Sequence, residues 1–154
     1  MTDSTIAVCP GCGRKNRIPM NAAGRPRCAN CKSDLPWLVS ADDSTLGATL
    51  GTSALVLLDL WAPWCGPCRM VAPVLEQLAQ QYAGRIKVVK VNVDDSPRAA
   101  STYQAQSIPT LVLLDQGRTV DRVIGAQPKA VLTQHIARAL AARGRPATPS
   151  RVVR

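Results

Sequence analysis

The chain contains no phenylalanine, and its few tryptophans and tyrosines bring the aromatic content to only 3%. A core must therefore be built mostly from Val, Leu, Ile and Ala. Long apolar runs are also missing. The greasiest stretch, Ala54 to Ala62, is interrupted by Asp59 and falls far short of the ~20 residues a membrane helix needs. The first residues, MTDSTIAVCPGC, have no cationic start followed by an apolar run, so no secretory signal is expected. Those two gaps point to a soluble, cytoplasmic protein with no membrane partner. In that compartment stable disulfides are rare, and paired cysteines serve as metal ligands or redox centres.

Acid is scarce at both ends of the chain. Residues 1–37 carry six Lys/Arg against two Asp, and residues 138–154 carry five Arg and no acid. Residues 38–137 balance eight bases with eight acids, so the net +9 belongs to the termini. Hydrophobic residues at 46% and charged residues at 19% lie close to globular usage, which excludes global disorder. At 154 residues the chain accommodates one packed domain and a small appendage.

Residues 1–36 form the expected appendage. They hold few large apolar side chains and many turn formers, and a segment of that size needs metal or disulfides to fold. Beyond it, apolar periodicity predicts strands near Leu38–Val39 and at 55–61, 86–93, 110–114 and 119–124. Helices are predicted near 42–50, from Cys65 to about Tyr82 with a bend at Pro73, from Pro97 to about Gln104, and over 129–143. Asp115-Gln-Gly-Arg118 reads as a hairpin turn. This order implies an α/β domain over 37–144 with a mixed sheet flanked by helices. Residues 145–154 read as a disordered basic tail.

Six cysteines fall into three Cys-x-x-Cys pairs. Cys9/Cys12 and Cys28/Cys31 lie fifteen residues apart, the spacing of a four-thiolate zinc ribbon. Two tight turns would each present two sulfurs to one ion, completing a tetrahedron and supplying the folding energy the segment lacks. Structural zinc is the leading reading, with a redox role through metal ejection as the alternative. The six nearby cations raise the question of nucleic acid, but a zinc held by four thiolates carries −2 for them to offset, and residues 1–36 contain no aromatic to stack a base. Nucleic acid is therefore not the expected partner.

Cys65 and Cys68 follow an apolar strand and open a helix. A helix N-terminus stabilises a thiolate over a thiol, so the Cys65 pKa should fall, and only the thiolate attacks a disulfide. Cys68, one turn inward, is expected to be the more buried, protonated while reduced, and placed to resolve a mixed disulfide. Asp59 lies in a strand that reads as buried on both faces, where a carboxylate's pKa should rise. It is a candidate acceptor for the Cys68 proton, and a strand-end cap fits poorly because apolar residues flank it. Lys90, in the next strand, is either Asp59's partner or an ordinary solvated lysine. His135, Tyr82 and Tyr103 read as boundary or packing residues.

"DLWAPWCGPCR" closely resembles the active-site signature of the thioredoxin family. "SIPT" is similar to that family's cis-proline loop, "VNVDDSP" to the turn after its third strand, and "VIGA" to the glycine segment near its substrate groove. The resemblance covers about residues 38–143, and with the ribbon in front the chain looks like the zinc-bearing bacterial members. It implies the thioredoxin fold, Cys65 as nucleophile, Cys68 as resolving thiol and Asp59 with Lys90 as a buried acid/base pair. It implies substrate docking along Trp64, Gly66, Pro67, Ile108, a cis Pro109 and Gly125. It further implies disulfide-bearing client proteins, re-reduction by a flavin- and NADPH-dependent thioredoxin reductase, a monomer, and no bound organic cofactor. Leu60 stands where the signature usually has Phe, and Asp115-Gln-Gly117 replaces a more usual Lys-Asn-Gly turn. The rival functions are a disulfide oxidase or isomerase, and a binding module that docks nucleic acid or a protein through the ribbon and tail.

Overall fold

The computed structural model describes residues 4–19 and 24–143. The expected tail, and Gly144 at the end of the expected domain, lie outside them. Strands β1 (Ser4–Val8) and β2 (Lys15–Pro19) form an antiparallel hairpin. They are followed by β3 (Leu38–Ala41), α1 (Leu46–Thr49), β4 (Leu55–Trp61), α2 (Gly66–Gln81) and β5 (Ile86–Asn92). The chain continues through α3 (Pro97–Thr102), β6 (Thr110–Asp115), β7 (Arg118–Ile124) and α4 (Lys129–Arg143).

The larger sheet runs β3-β5-β4-β6-β7, with β3, β5 and β4 parallel and β6 and β7 antiparallel to their neighbours. Strand side chains alternate, so each strand serves two cores. Leu55 and Leu57 pack with Val71, Leu75 and Leu78 of α2 and with Leu132 and Ile136 of α4. Val56, Leu58 and Leu60 pack on the opposite face with Leu46 of α1 and Ala99 of α3. This is the expected mixed sheet with helices on both faces. Ala7, Ile18 and Leu35 of the N-terminal segment extend the second core through Trp37.

Helix α2 continues through Pro73 without interruption. Helix α1 is shorter than expected: residues 43–45 form a turn ahead of it, whose Ser44 and Thr45 amides donate to the Asp42 carboxylate. Between β6 and β7, Gln116 (φ 51°) and Gly117 (φ 85°) both take positive φ, the backbone of a two-residue hairpin turn whose twist matches the strands.

Lys87 is a finding the sequence did not announce. Its side chain points to the α1/α3 face of β5, is fully buried, and donates from Nζ to the Thr49 carbonyl at 2.6 Å. The ammonium lies 4.4 Å from the centroid of the Trp37 ring. Burial lowers its pKa from 10.5 to about 8. An unfolded lysine titrates near 10.4, so between about pH 8 and pH 10 the unfolded chain binds more protons and stability rises with pH. Chemical denaturation across that range should show the rise in the parent and a flatter profile in Lys87→Met. Identical slopes would assign the effect to another group.

Candidate active site and cysteine cluster

Strand β4 delivers the chain to α2 through residues 62–65. Cys65 is the N-cap of α2 (φ −86°, ψ 111°), and its sulfur accepts a hydrogen bond from the Cys68 amide at 3.1 Å. Pro67 falls in the first turn, where a missing N–H is harmless. Cys65 and Cys68 are disulfide-bonded, with Cα atoms 5.2 Å apart. The expected difference in burial is not seen in the oxidised state, since each cysteine is 4% exposed. The bond places both sulfurs in one pocket with Ala62, lined by Trp61, Val93 and Ile108.

Ile108 packs against the disulfide, and the other residues expected there adjoin the cysteines in sequence or lie along the strands that follow Ile108. Trp64 is 66% exposed, and its indole Nε1 donates to Asp94 at 3.0 Å. Gly66 and Pro67 are exposed between the two cysteines. The Ile108–Pro109 peptide is cis, and the Ile108 carbonyl oxygen lies 3.7 Å from the Cys65 sulfur. The Gly125 amide donates to the Pro109 carbonyl at 2.8 Å, joining the two ends of the β6–β7 hairpin beside the site. Arg69 was not singled out from sequence beyond being a basic residue after the second cysteine. Its Nε and Nη2 both donate to the Pro63 carbonyl, at 3.1 and 2.8 Å, and so hold the loop that carries Trp64.

Asp59 is 2% exposed, and its Oδ1 is buried with no hydrogen-bond partner among the described residues. Alternation along β4 places it on the face shared with Leu55 and Leu57, the face covered by α2. Burial raises its pKa from 3.8 to about 7, opposed by the positive charge of Lys90. Lys90 is its register neighbour on β5, but the two make no direct ion pair; the ammonium sits 4.8 Å from the centroid of the Trp61 ring. The arrangement supplies a carboxyl that can exchange a proton near neutral pH behind the helix that carries Cys68.

The other four cysteines form a second constellation. Their sulfurs all lie within 4.8 Å of one another, with Cys9 to Cys31 and Cys12 to Cys28 each at 3.5 Å. The two turns repeat one design. Gly11 N donates to the Cys9 sulfur at 3.3 Å, and Asn30 N to the Cys28 sulfur at 3.4 Å. Gly13 N returns to the Cys9 carbonyl and Lys32 N to the Cys28 carbonyl, with positive φ at both residues (80° and 67°). Side-chain amides add donors, Asn16 to Cys28 at 3.6 Å and Asn30 to Cys12 at 3.5 Å. Donors aimed at four converging sulfurs fit thiolates around one metal ion, since such ligands are oriented and made basic by outer hydrogen bonds. Hydrogen bonding from the Cys31 amide foremost, with the Asn30 amide and the Asn16 side chain, lowers the Cys28 pKa to about 6.

Comparison with known proteins agrees with this geometry. The family model described as Thioredoxin matches residues 37–138. Thioredoxin 1 of Nostoc sp. is 59% identical over 85 residues, which is 55% of this chain and 79% of that protein. The thioredoxin of Synechocystis sp. is 52% identical over 92 residues, 60% of this chain and 86% of that protein. The chloroplastic thioredoxin M5 of Oryza sativa subsp. japonica is 46% identical over 115 residues, 74% of this chain and 66% of that protein.

The Asp59 carboxyl makes a measurable contribution to stability. With its pKa raised, the folded chain keeps a proton that the unfolded chain has already lost between about pH 4 and pH 7. Its contribution is therefore full below pH 4 and lost as the pH rises through 7. Asp59→Asn should become more stable relative to the parent from pH 4 to pH 8, by at most about 4 kcal/mol for a shift of roughly three pH units. Urea denaturation at both pH values reads this, and an unchanged difference would place the Asp59 pKa in the ordinary carboxylate range.

Proposed function

The chain belongs to the thioredoxin family, whose members are thiol–disulfide oxidoreductases, and from that premise we propose that it works as a protein-disulfide reductase. The observation that carries the reading is the Cys65–Cys68 disulfide at the start of α2, set beside the Asp59 carboxyl buried on the strand before it. The cycle begins with the reduced pair. The Cys65 thiolate attacks one sulfur of a client disulfide, forming a mixed disulfide and releasing a client thiolate. Cys68 then gives up its proton, with Asp59 as the acceptor, and attacks the Cys65 sulfur. The second client sulfur leaves as a thiolate and takes the proton held by Asp59, while the first takes from solvent the proton that Cys65 lost on ionising. Two electrons and two protons have passed to the client, and the enzyme is left in its disulfide state.

Lys90 tunes Asp59 through its charge. Trp64, Gly66, Pro67, Ile108, Pro109 and Gly125 form the surface against which the client chain lies. A flavin-dependent thioredoxin reductase returns the two electrons from NADPH. The protein acts as a monomer in the cytoplasm and binds no organic cofactor.

Residues 1–36 are a zinc ribbon in this reading and residues 37–144 the thioredoxin domain. Cys9, Cys12, Cys28 and Cys31 would hold one zinc ion, which supplies folding energy to a segment with little core of its own.

Three measurements test these assignments. Cys65→Ser should abolish reduction of insulin disulfides, while Cys68→Ser should accumulate a mixed disulfide with the client; full activity in Cys65→Ser would overturn the mechanism. Equilibration with glutathione should give a potential near about −270 mV, whereas a value near about −120 mV would mark an oxidase. The native, reduced protein should contain about one zinc per chain and expose two reactive thiols. Six reactive thiols without metal would refute the division between the two cysteine sites.

A further inference from the structure

Three arginines from distant parts of the chain meet at the end of the sheet remote from the disulfide. Arg25, between β2 and β3, Arg85, before β5, and Arg143, at the end of α4, line one cleft of about 490 Å³ with Thr52, Ser53 and Gly84. Thr52 and Ser53 precede β4, whereas Cys65 follows it. Seven strand residues separate the two ends by roughly 20 Å. Ligand bound in the cleft leaves the disulfide accessible.

The charges there are fixed and incompletely compensated. Arg143 donates from Nη2 to the Ser53 carbonyl, and its Nε lies 3.4 Å from Asp115. Arg85 lies over the Tyr82 ring, 5.6 Å from its centroid. Neither Arg25 nor Arg85 has a carboxylate partner among the described residues. Asp34, beside Gly84, is the other acid at the rim, and Arg27 faces it at 3.5 Å. Arg25 also lines a second cleft of about 450 Å³ whose walls carry Arg14 and Arg17, so the positive surface continues onto the N-terminal hairpin. The thiolates of a metal site would offset cations on the ribbon, but Arg85 and Arg143 belong to the other part of the chain.

We propose that this cleft binds the oligophosphate group of a compact anion, either a free oligophosphate or the phosphate tail of a nucleotide. Guanidinium forks match phosphate oxygens in geometry and charge, and the Ser53 hydroxyl adds a neutral donor. The cleft size is that of a small-ligand site. Its one nearby ring, Tyr82, is buried beneath Arg85 and offers no face to a base, which favours phosphate recognition over reading of a nucleic acid strand.

The full-length protein, with its bound metal, should be titrated with tripolyphosphate at low ionic strength and followed by amide NMR. One saturable site should appear, with shifts centred on Thr52, Ser53, Gly84 and Arg85. Arg25→Gln and Arg85→Gln, both at exposed positions, should each weaken binding about tenfold, the loss of one charged hydrogen-bonding group. Arg118→Gln, in the β6–β7 turn, should leave it unchanged. Disulfide reduction should run at the same rate with the cleft filled or empty. Equal affinity for tripolyphosphate and ATP would identify the free oligophosphate as the ligand, and tighter ATP binding the nucleotide. Absence of saturation, equal weakening by Arg118→Gln, or tighter binding of a single-stranded oligonucleotide or a glutamate-rich peptide would overturn the proposal.

Discussion

Strand β4 is hydrogen-bonded along both edges, to β5 and β6, and covered by helices on both faces. Nothing along it except the end at Trp61 reaches water, so the strand tolerates only apolar side chains without a change in their chemistry. Asp59 breaks that rule and is altered by it: deprived of water and of a hydrogen-bond donor to Oδ1, the carboxyl resists ionisation until near neutral pH. The strand also sets distance. Its exit places Cys65 at the start of α2, and its entrance holds Thr52 and Ser53 beside the three arginines. Two polar surfaces thus lie at opposite ends of one dry, stiff element.

The N-terminal segment solves a different problem. It has little apolar surface to bury, and four cysteines converge where a larger segment would place leucines. Its few buried side chains run through Leu35 to Trp37, and Trp37 lies against the Lys87 ammonium. A ring over a cation recovers part of the solvation that burial removes. The Thr49 carbonyl, at the end of α1, supplies a hydrogen bond. One buried lysine thereby ties the segment's junction, strand β5 and helix α1 together.

Much of this was readable from residue order, because it rests on local rules. Apolar periodicity set the strand and helix sequence, and the fifteen-residue gap matched two tight turns that do meet. An acid inside an apolar run announced a perturbed carboxyl. What escaped were contacts between residues far apart in sequence. Lys87 reads as a solvated strand lysine until Trp37, fifty residues away, is seen beside it. The cluster of Arg25, Arg85 and Arg143 exists only once the sheet is assembled. Helix α1 begins later than expected, after a turn over residues 43–45 whose Ser44 and Thr45 amides are capped by the Asp42 carboxylate. The expected inequality between Cys65 and Cys68 was an inference about thiols, whereas a covalent bond draws both sulfurs to the same depth.

Strand β6 leaves the site at Pro109 and β7 returns to it at Gly125, where a single amide–carbonyl bond closes the open end of the hairpin. The Gln116–Gly117 turn is therefore the far tip of an arm whose base lies beside the disulfide. The tip lies outside the ladder, as does Val120 at a register shift within β7, and the tip is exposed. A fluorophore, an affinity tag or a short inserted peptide attached at this turn would report on the protein, or tether it, at a distance from the disulfide.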